Sequence, residues 1–335
     1  MPYFVVMEDF KKLFESFAAL KVGVIGDVML DTYMWGRVDR ISPEAPVPVV
    51  SLNKKEYRIG GAGNVALNCQ SLGAQVSVLS VIGNDTEGLL LEELLAGDNI
   101  DTSCLIKSVD RITTNKTRII SRNQQMMRLD EEITNDLNER DENALLEKIQ
   151  NYISKVDPDI IIFEDYDKGV LTETIIHAVI NLCRQAGVIT AVDPKRKNFF
   201  SYKQADIFKP NLKEVKEALN FLVDKITEPV LQNIHTELEN ILHHKISFIT
   251  LSAEGVFYQE AQKSNLIPSH LRNVADVSGA GDTVIAVASL VYAATKNTHL
   301  MAEVANIAGG LVCEEVGTMA INKEKLLHEC EILLS

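Results

Sequence analysis

The sequence predicts an α/β protein with a mostly parallel central sheet, helices on both faces and a small β-sheet lid. Short apolar runs bounded by turns alternate with segments of helical period, the pattern of strands joined by crossover helices. Such strands run parallel, and the loops at their carboxyl ends gather the ligand-binding residues. Two stretches break the alternation: Pro46 to Arg58 and Ser103 to Asp130 are rich in Val, Ile, Thr and Arg without a helical period. They read as strands of a second, smaller sheet, with lid segments at about 34–58 and 103–130 inserted in a single domain over 1–335.

The elements follow in order. Phe10, Leu13, Phe14, Phe17 and Leu20 recur at helical spacing, and Lys21 to Asp27 then reads as a buried strand ending in a turn. Further strands are expected near Gln75 to Ile82, Asp159 to Glu164, Val188 to Asp193, Asp206 to Lys209 and Ile246 to Ser252. Helices fill most gaps, notably Asn143 to Lys155, Thr172 to Gln185 and Leu212 to Phe221. The chemistry is therefore expected in strand-to-helix loops.

The formal charge of −14 works against a nucleic acid or an anionic membrane as partner, because the long-range field repels a polyanion. An anionic ligand must be held by a local basic cluster. Five cysteines are scattered, odd in number and without C-x-x-C spacing, so a reducing, cytoplasmic setting is the expectation. No basic segment followed by an apolar one opens the chain, and the apolar run Val284 to Ala294 is too short to cross a bilayer.

The sharpest signal is Asp276-Val277-Ser278-Gly279-Ala280-Gly281-Asp282, followed at once by the apolar helix Thr283 to Thr295. If Gly279, Ala280 and Gly281 turn into that helix, their N–H groups and the helix dipole favour negative charge at one spot. Asp282 then stands in the first turn, where a carboxylate can take the proton of an attacking hydroxyl while the amides hold a transferring phosphoryl group. The plain alternative is a helix cap after a tight turn. No G-x-x-x-x-G-K-[ST] loop occurs, and Gly26 opens no G-x-G-x-x-G fingerprint, so Walker-type and dinucleotide sites are disfavoured. A second signal, Gly60-Gly61-Ala62-Gly63-Asn64, leads into the helical run Val65 to Leu72 with Gly73 as its cap. Bare glycines there let a small polar ligand touch backbone, and Asn64 offers both a donor and an acceptor.

G-G-x-x-N early and D-x-x-G-A-G-D late resemble the two signatures of the ribokinase-like (PfkB) sugar kinases, in order and separation, over Val22 to about Ile321. The resemblance implies a ribokinase-like fold, ATP and Mg²⁺ as cofactors, Asp282 as catalytic base, and Gly279, Ala280 and Gly281 as the anion hole. Residues 26–31, 40–48, 121–125, 165–169 and 193–195 further resemble the kinases acting on D-glycero-β-D-manno-heptose 7-phosphate. Such enzymes phosphorylate the anomeric hydroxyl on the route to the activated heptose of lipopolysaccharide. Many of them carry a second, nucleotidyltransferase domain, which this sequence, lacking H-x-G-H, is not expected to hold.

Charge patterning independently points to a phosphorylated substrate. Arg111, Lys116, Arg118, Arg122 and Arg128 fall in a stretch without acidic residues. On alternating strands Arg118, Arg122 and Arg128 share parity, provided no bulge intervenes, and the guanidinium fork suits phosphate oxygens. The alternative is protection of an edge strand by exposed charge. Asp27 and Asp31 end the first strand, where the resemblance places sugar contacts. Asp165, Lys168 and Lys195 lie after later strands, within reach of sugar or phosphate oxygens, although solvated lysines are the competing reading.

For the nucleotide, Asn211-Leu212-Lys213-Glu214 resembles the family's N-x-x-E element, in which Asn211 and Glu214 organise Mg²⁺ through waters. Alone, it is an ordinary helix start. Ser252 and Gly255 match the loop beside the nucleotide, and Asn306 and Gly317 fall where relatives line the adenine pocket. Ser278 stands where threonine is usual, Glu164 where a small residue is usual, and Arg196 where glycine is usual; the last two bear on substrate identity. The expectation is a sugar-phosphate kinase, homodimeric through the lid, with any need for a monovalent cation left open. Competing readings are a kinase for another sugar, a non-catalytic sugar or nucleotide sensor, and an NAD-dependent oxidoreductase.

Overall fold

A computed structural model describes residues 9–122, 124–221, 225–270 and 272–334. The chain opens with α1 (Phe10–Ser16), β1 (Lys21–Gly26), the long strands β2 (Val28–Ile41) and β3 (Pro48–Gly61), α2 (Ala62–Ser71) and β4 (Gln75–Gly83). It continues with α3 (Thr86–Gly97), β5 (Asp101–Ser108), β6 (Asn115–Ser121), β7 (Gln124–Glu131), α4 (Glu139–Val156) and β8 (Ile160–Glu164). Then come α5 (Glu173–Ala186), β9 (Ile189–Asp193), β10 (Ile207–Phe208), α6 (Leu212–Ala218), α7 (Glu228–Leu242) and β11 (Ile246–Thr250). The chain closes with β12 (Val256–Glu260), β13 (Lys263–Ile267), α8 (Ala280–Thr295), α9 (Thr298–Val312) and α10 (Lys323–Leu333).

Nine strands form one sheet in the order β13-β12-β11-β10-β9-β8-β1-β4-β5, parallel except at β12 and β13. Its central strands are apolar on both faces, as parallel strands covered by helices must be. Along β8, Ile160 and Ile162 join the core under α2, α8 and α9, while Ile161 and Phe163 join the opposite core with α4, α5 and α7. Each buried Ile of this kind contributes about 1.5–3 kcal/mol relative to exposure. The alternation carries on to the strand ends, so Glu164 and Asp193, in register, both face α8. Helix α8 is buried without a break from Asp282 to Tyr292, which explains its apolar composition on every side.

The second sheet has the order β3-β2-β6-β7. Its strands β2 and β3 are rooted in the core, where Val28 to Tyr33 and Ile59 to Gly61 are buried, and their distal halves are largely exposed. Two sequence expectations are corrected here. Residues 103–108 belong to β5, the edge of the main sheet, because Cys104, Leu105 and Ile106 pair with Leu79, Ser80 and Val81. Arg122 lies in the turn between β6 and β7 at φ 50, and a register shift separates Ile119 from Ile120, so Arg122 does not share a strand face with Arg118 and Arg128.

Candidate active site

The motif 276–282 forms the entrance to α8. Gly279 caps the helix at φ 77, a conformation glycine tolerates, and Asp276 Oδ1 accepts from the N–H (3.0 Å) and hydroxyl (2.8 Å) of Ser278 to brace the turn. In a helix starting at Ala280, the amides of Gly281 and Asp282 have no intrahelical partner and are free for an anion. Asp282 is buried just inside this entrance. Its Oδ1 accepts from the Tyr166 hydroxyl at 2.7 Å, and its Oδ2 from Asn64 Nδ2 at 2.7 Å. Burial pushes its carboxyl above the usual carboxylate range, against the two donors, which favour the ionised form.

Asn64 comes from the first turn of α2. It is held there by Asn68, whose Nδ2 donates to the Asn64 carbonyl at 2.8 Å. Asn68 Oδ1 in turn accepts from Thr283 Oγ1 at 3.1 Å and from the Ile321 N–H at 3.0 Å, which locks α2 to α8. Gly61 makes the entry to α2 possible: at φ 59, a Cβ there would lie 2.3 Å from the Asp27 carbonyl oxygen. Gly60 lets Asp31 approach, since a Cβ would lie 2.6 Å from Asp31 Oδ2.

Beneath the anion turn lies a buried charge network. Asp193 accepts from Lys209 at 2.7 Å and from Lys195 at 3.3 Å, and Lys195 also donates to Glu214 at 3.0 Å. A Cβ on Gly281 would lie 3.8 Å from the Lys209 ammonium, so this cation sits directly behind the helix entrance. Asn211 and Glu214 form a reciprocal capping box at the start of α6, which fixes the carboxylate beside Lys195. Glu164 is fully buried with no hydrogen-bond partner on either oxygen among the described residues, and burial with Asp193 and Asp282 nearby holds it far above the usual range.

The small sheet overhangs this site. Cross-strand register puts Asp31, Arg58 and Lys116 abreast, then Tyr33, Arg118 and Arg128, all on one face. Arg118 donates to Asp31 at 2.5 Å, and Arg128 pairs with Asp130 at 2.8 Å. Lys116 and Lys195 lie 5.3 and 5.4 Å from the centre of the Tyr166 ring, so that ring stands between the small sheet and the main one. Lys168 pairs with Glu132 at 2.9 Å.

Asp27 and Asp165 differ from expectation. Asp27 is buried, and its carboxylate accepts from the N–H groups of Tyr166 (2.9 Å), Lys168 (3.1 Å) and Val170 (3.0 Å). It anchors the loop after β8 rather than opening toward a sugar. Asp165 faces the opposite side of the sheet, where Tyr202 donates to it at 2.7 Å, and its pKa is raised to about 6, chiefly by burial. Ser252 and Gly255 shape the turn after β11, Asn306 ties α9 to Pro268 at 2.9 Å, and the Gly317 N–H donates to Asp276 at 2.9 Å. The sequence reading missed Tyr166, Asp193, Lys209 and Arg58. A lysine ending an apolar strand was a usable signal for Lys209, and the segments 165–169 and 193–195 already held Tyr166 and Asp193; the role of Arg58 depends on tertiary placement.

The model of the pfkB family of carbohydrate kinases matches residues 19–325. The Bifunctional protein HldE of Desulfatibacillum aliphaticivorans is 39% identical over 311 residues, covering 92% of this chain and 63% of that protein. The Bifunctional protein HldE of Geobacter sulfurreducens is 36% identical over 322 residues, covering 96% of this chain and 65% of that protein. The chain thus spans less than two thirds of the length of these relatives. Phosphofructokinase-2 from Escherichia coli, solved in complex with potassium, superposes with a TM-score of 0.77 at 17% identity, over 93% of this chain and 99% of that one. Ribokinase from Arabidopsis thaliana, complexed with ribose and ATP, superposes with a TM-score of 0.71 at 17% identity, over 92% and 98%. The architecture is the ribokinase-like α/β fold. No helix among the described residues is long and apolar enough to cross a membrane.

Proposed function

We propose that this chain, which belongs to the pfkB family of carbohydrate kinases and is a phosphotransferase acting on an alcohol group, takes a sugar that already carries a phosphate. The acceptor we assign is D-glycero-D-manno-heptose 7-phosphate, phosphorylated by ATP at the anomeric C1 hydroxyl to give the 1,7-bisphosphate. One observation carries the phosphorylated acceptor: Lys116, Arg118 and Arg128 converge on the face of the small sheet turned toward Asp282, in a chain of net charge −14. The heptose rests on the motifs at 26–31, 40–48, 121–125, 165–169 and 193–195.

In this reading the sugar hydroxyl attacks the γ-phosphorus of ATP, an O–P bond forms, the bond to the β-phosphate oxygen breaks, and the hydroxyl proton passes to Asp282. Tyr166 and Asn64 hold the carboxylate in place for this transfer. The amides at the entrance of α8, backed by Lys209, take up the charge of the group in flight. The small sheet covers the sugar and limits wasteful hydrolysis by water.

Glu214 is fixed by the Asn211 N–H at 2.8 Å and by Lys195, yet each oxygen keeps a further lone pair. That donor set suits a magnesium ion reached through waters, with Asn211 and Glu214 as its holders. The ion supplies charge neutralisation on the ATP phosphates. The opposite face of the small sheet exposes Tyr57, Met127 and Leu129, which supports a homodimer formed through the lid.

ADP release on a panel of sugars and sugar phosphates tests the acceptor: heptose 7-phosphate is expected to be turned over best, and preference for an unphosphorylated sugar rejects the assignment. Asp282→Asn should bind nucleotide and sugar yet lose roughly 10²–10⁴-fold in turnover. A kinase-competent Asp282→Asn would remove the carboxylate from the mechanism.

A further inference from the structure

Arg58 is not free to meet a phosphate. Its Nη1 donates to the carbonyls of Val316 at 3.4 Å and Thr318 at 3.3 Å, and its guanidinium carbon lies 4.6 Å from the centre of the Tyr33 ring. Gly317, between those carbonyls at φ 76, is pressed against both: a Cβ there would lie 2.7 Å from Arg58 Nη1 and 3.1 Å from the Tyr33 hydroxyl. The Gly317 N–H donates to Asp276 Oδ2 at 2.9 Å, and Asp276 Oδ1 braces Ser278, next to Gly279. Thr318 Cγ2 would touch a Cβ on Gly279 at 3.3 Å. On the other side, Glu56 accepts from Trp35 Nε1 at 3.0 Å and lies 3.7 Å from Arg58 Nη2, and Trp35 stacks on Tyr33 at 6.4 Å. A continuous run of contacts therefore joins the small sheet to the anion turn.

We infer that Arg58 is a positioning residue that latches the small sheet to the turn at 316–318, so that a nucleotide reaching the α8 entrance draws the small sheet closed. The inference rests on the kinase reading of the site but not on the identity of the sugar. Coupling between two sites of one protein has a typical strength of about 5–150-fold, carried by a two-state element both sites bias.

Trp35 is the single tryptophan of the chain and lies in the small sheet against Tyr33, which makes its emission the reporter. Magnesium with a non-hydrolysable ATP analogue, added without sugar, should change the Trp35 emission of the wild-type protein. Arg58→Ala, which removes the donor, and Tyr33→Leu, which removes the ring that Arg58 lies on, should lose that change while calorimetry still registers nucleotide binding and the melting transition stays cooperative. In turnover assays both variants should lower kcat several-fold and bind the nucleotide analogue more weakly by the factor that the coupling supplied, and Arg58→Lys, which keeps charge without the fork, should behave like Arg58→Ala. The latch is refuted if nucleotide changes the emission equally in wild type and variants, or leaves all of them unchanged while binding. Failure of every sugar phosphate in the acceptor panel would instead count against the acceptor assignment, because the emission arm contains no sugar.

Discussion

The hydroxyl of Tyr166 donates to Oδ1 of Asp282 across 2.7 Å, joining the loop after β8 to the first turn of α8. A donor to a carboxylate favours its ionised form, so Tyr166→Phe should make Asp282 harder to ionise. The acid limb of the kcat profile is expected to move to higher pH by about one to two units, the equivalent of a hydrogen bond to a charged group. A pH–rate series on the two proteins measures it. An unshifted limb with uniformly reduced turnover would mean that Tyr166 only packs.

Arg128 is the cleanest probe of the cationic face, because it is exposed and its partner Asp130 is nearby on the same strand. Arg128→Ala should raise KM for phosphorylated sugars by roughly 10-fold, the scale of one charge-assisted contact, and leave unphosphorylated sugars unaffected. Arg118→Ala should do more and also cost stability, since it leaves Asp31 buried without its ion partner at 2.5 Å. Steady-state kinetics with matched sugar and sugar-phosphate pairs separates the two effects.

His244 is buried, with Nε2 2.6 Å from Ser247 Oγ, and burial lowers its pKa to about 3. The unfolded chain, with an ordinary histidine, binds more protons below pH 6.5, so this group makes stability fall as pH drops through that value toward 3. The slope is about 1.4 kcal/mol per pH unit. His244→Gln should flatten the difference in urea unfolding free energy between pH 7 and pH 5 by a corresponding amount.

Glu164 has the opposite sign. Its folded pKa lies well above 4.5, so the native state keeps a proton that the unfolded chain has lost, and stability declines as pH rises from 4.5 upward. Glu164→Gln keeps the shape and removes the titration. It should therefore stabilise the protein increasingly from pH 5 to pH 8, as read from unfolding midpoints. An equal midpoint shift at both pH values would show that the carboxyl does not hold its proton.

Much of this was legible from the residues. Period and turn chemistry located β1, β4, β8, β9, β10 and β11, whose short runs are apolar on both faces, whereas β5 was read as lid and the edge strands β12 and β13, polar on one side, were not read as strands. The turn at 279–281 and the carboxylate after it were readable because small residues before an apolar helix leave few alternatives. Asp27 was not readable: whether a carboxylate opens to a sugar or grips the amides of 166–170 depends on a loop more than a hundred positions away in sequence. Arg122 was misplaced for a local reason, since β6 ends at Ser121 and the chain turns at Arg122 with φ 50, a strand end that the residues do not announce. Arg58 gave no sign of its role, because its partners are main-chain carbonyls, which look the same in any sequence.

The 14-residue strands β2 and β3 each have one end clamped in the core and the other projecting into water, with register irregularities at Trp35/Gly36 and Val38/Arg40. A ribbon mounted in that way flexes like a cantilever, bending along its free span instead of swinging on a door hinge. Its stiffness is then set by the two irregularities, so ironing either one out should alter how far the tip travels without touching a single ligand.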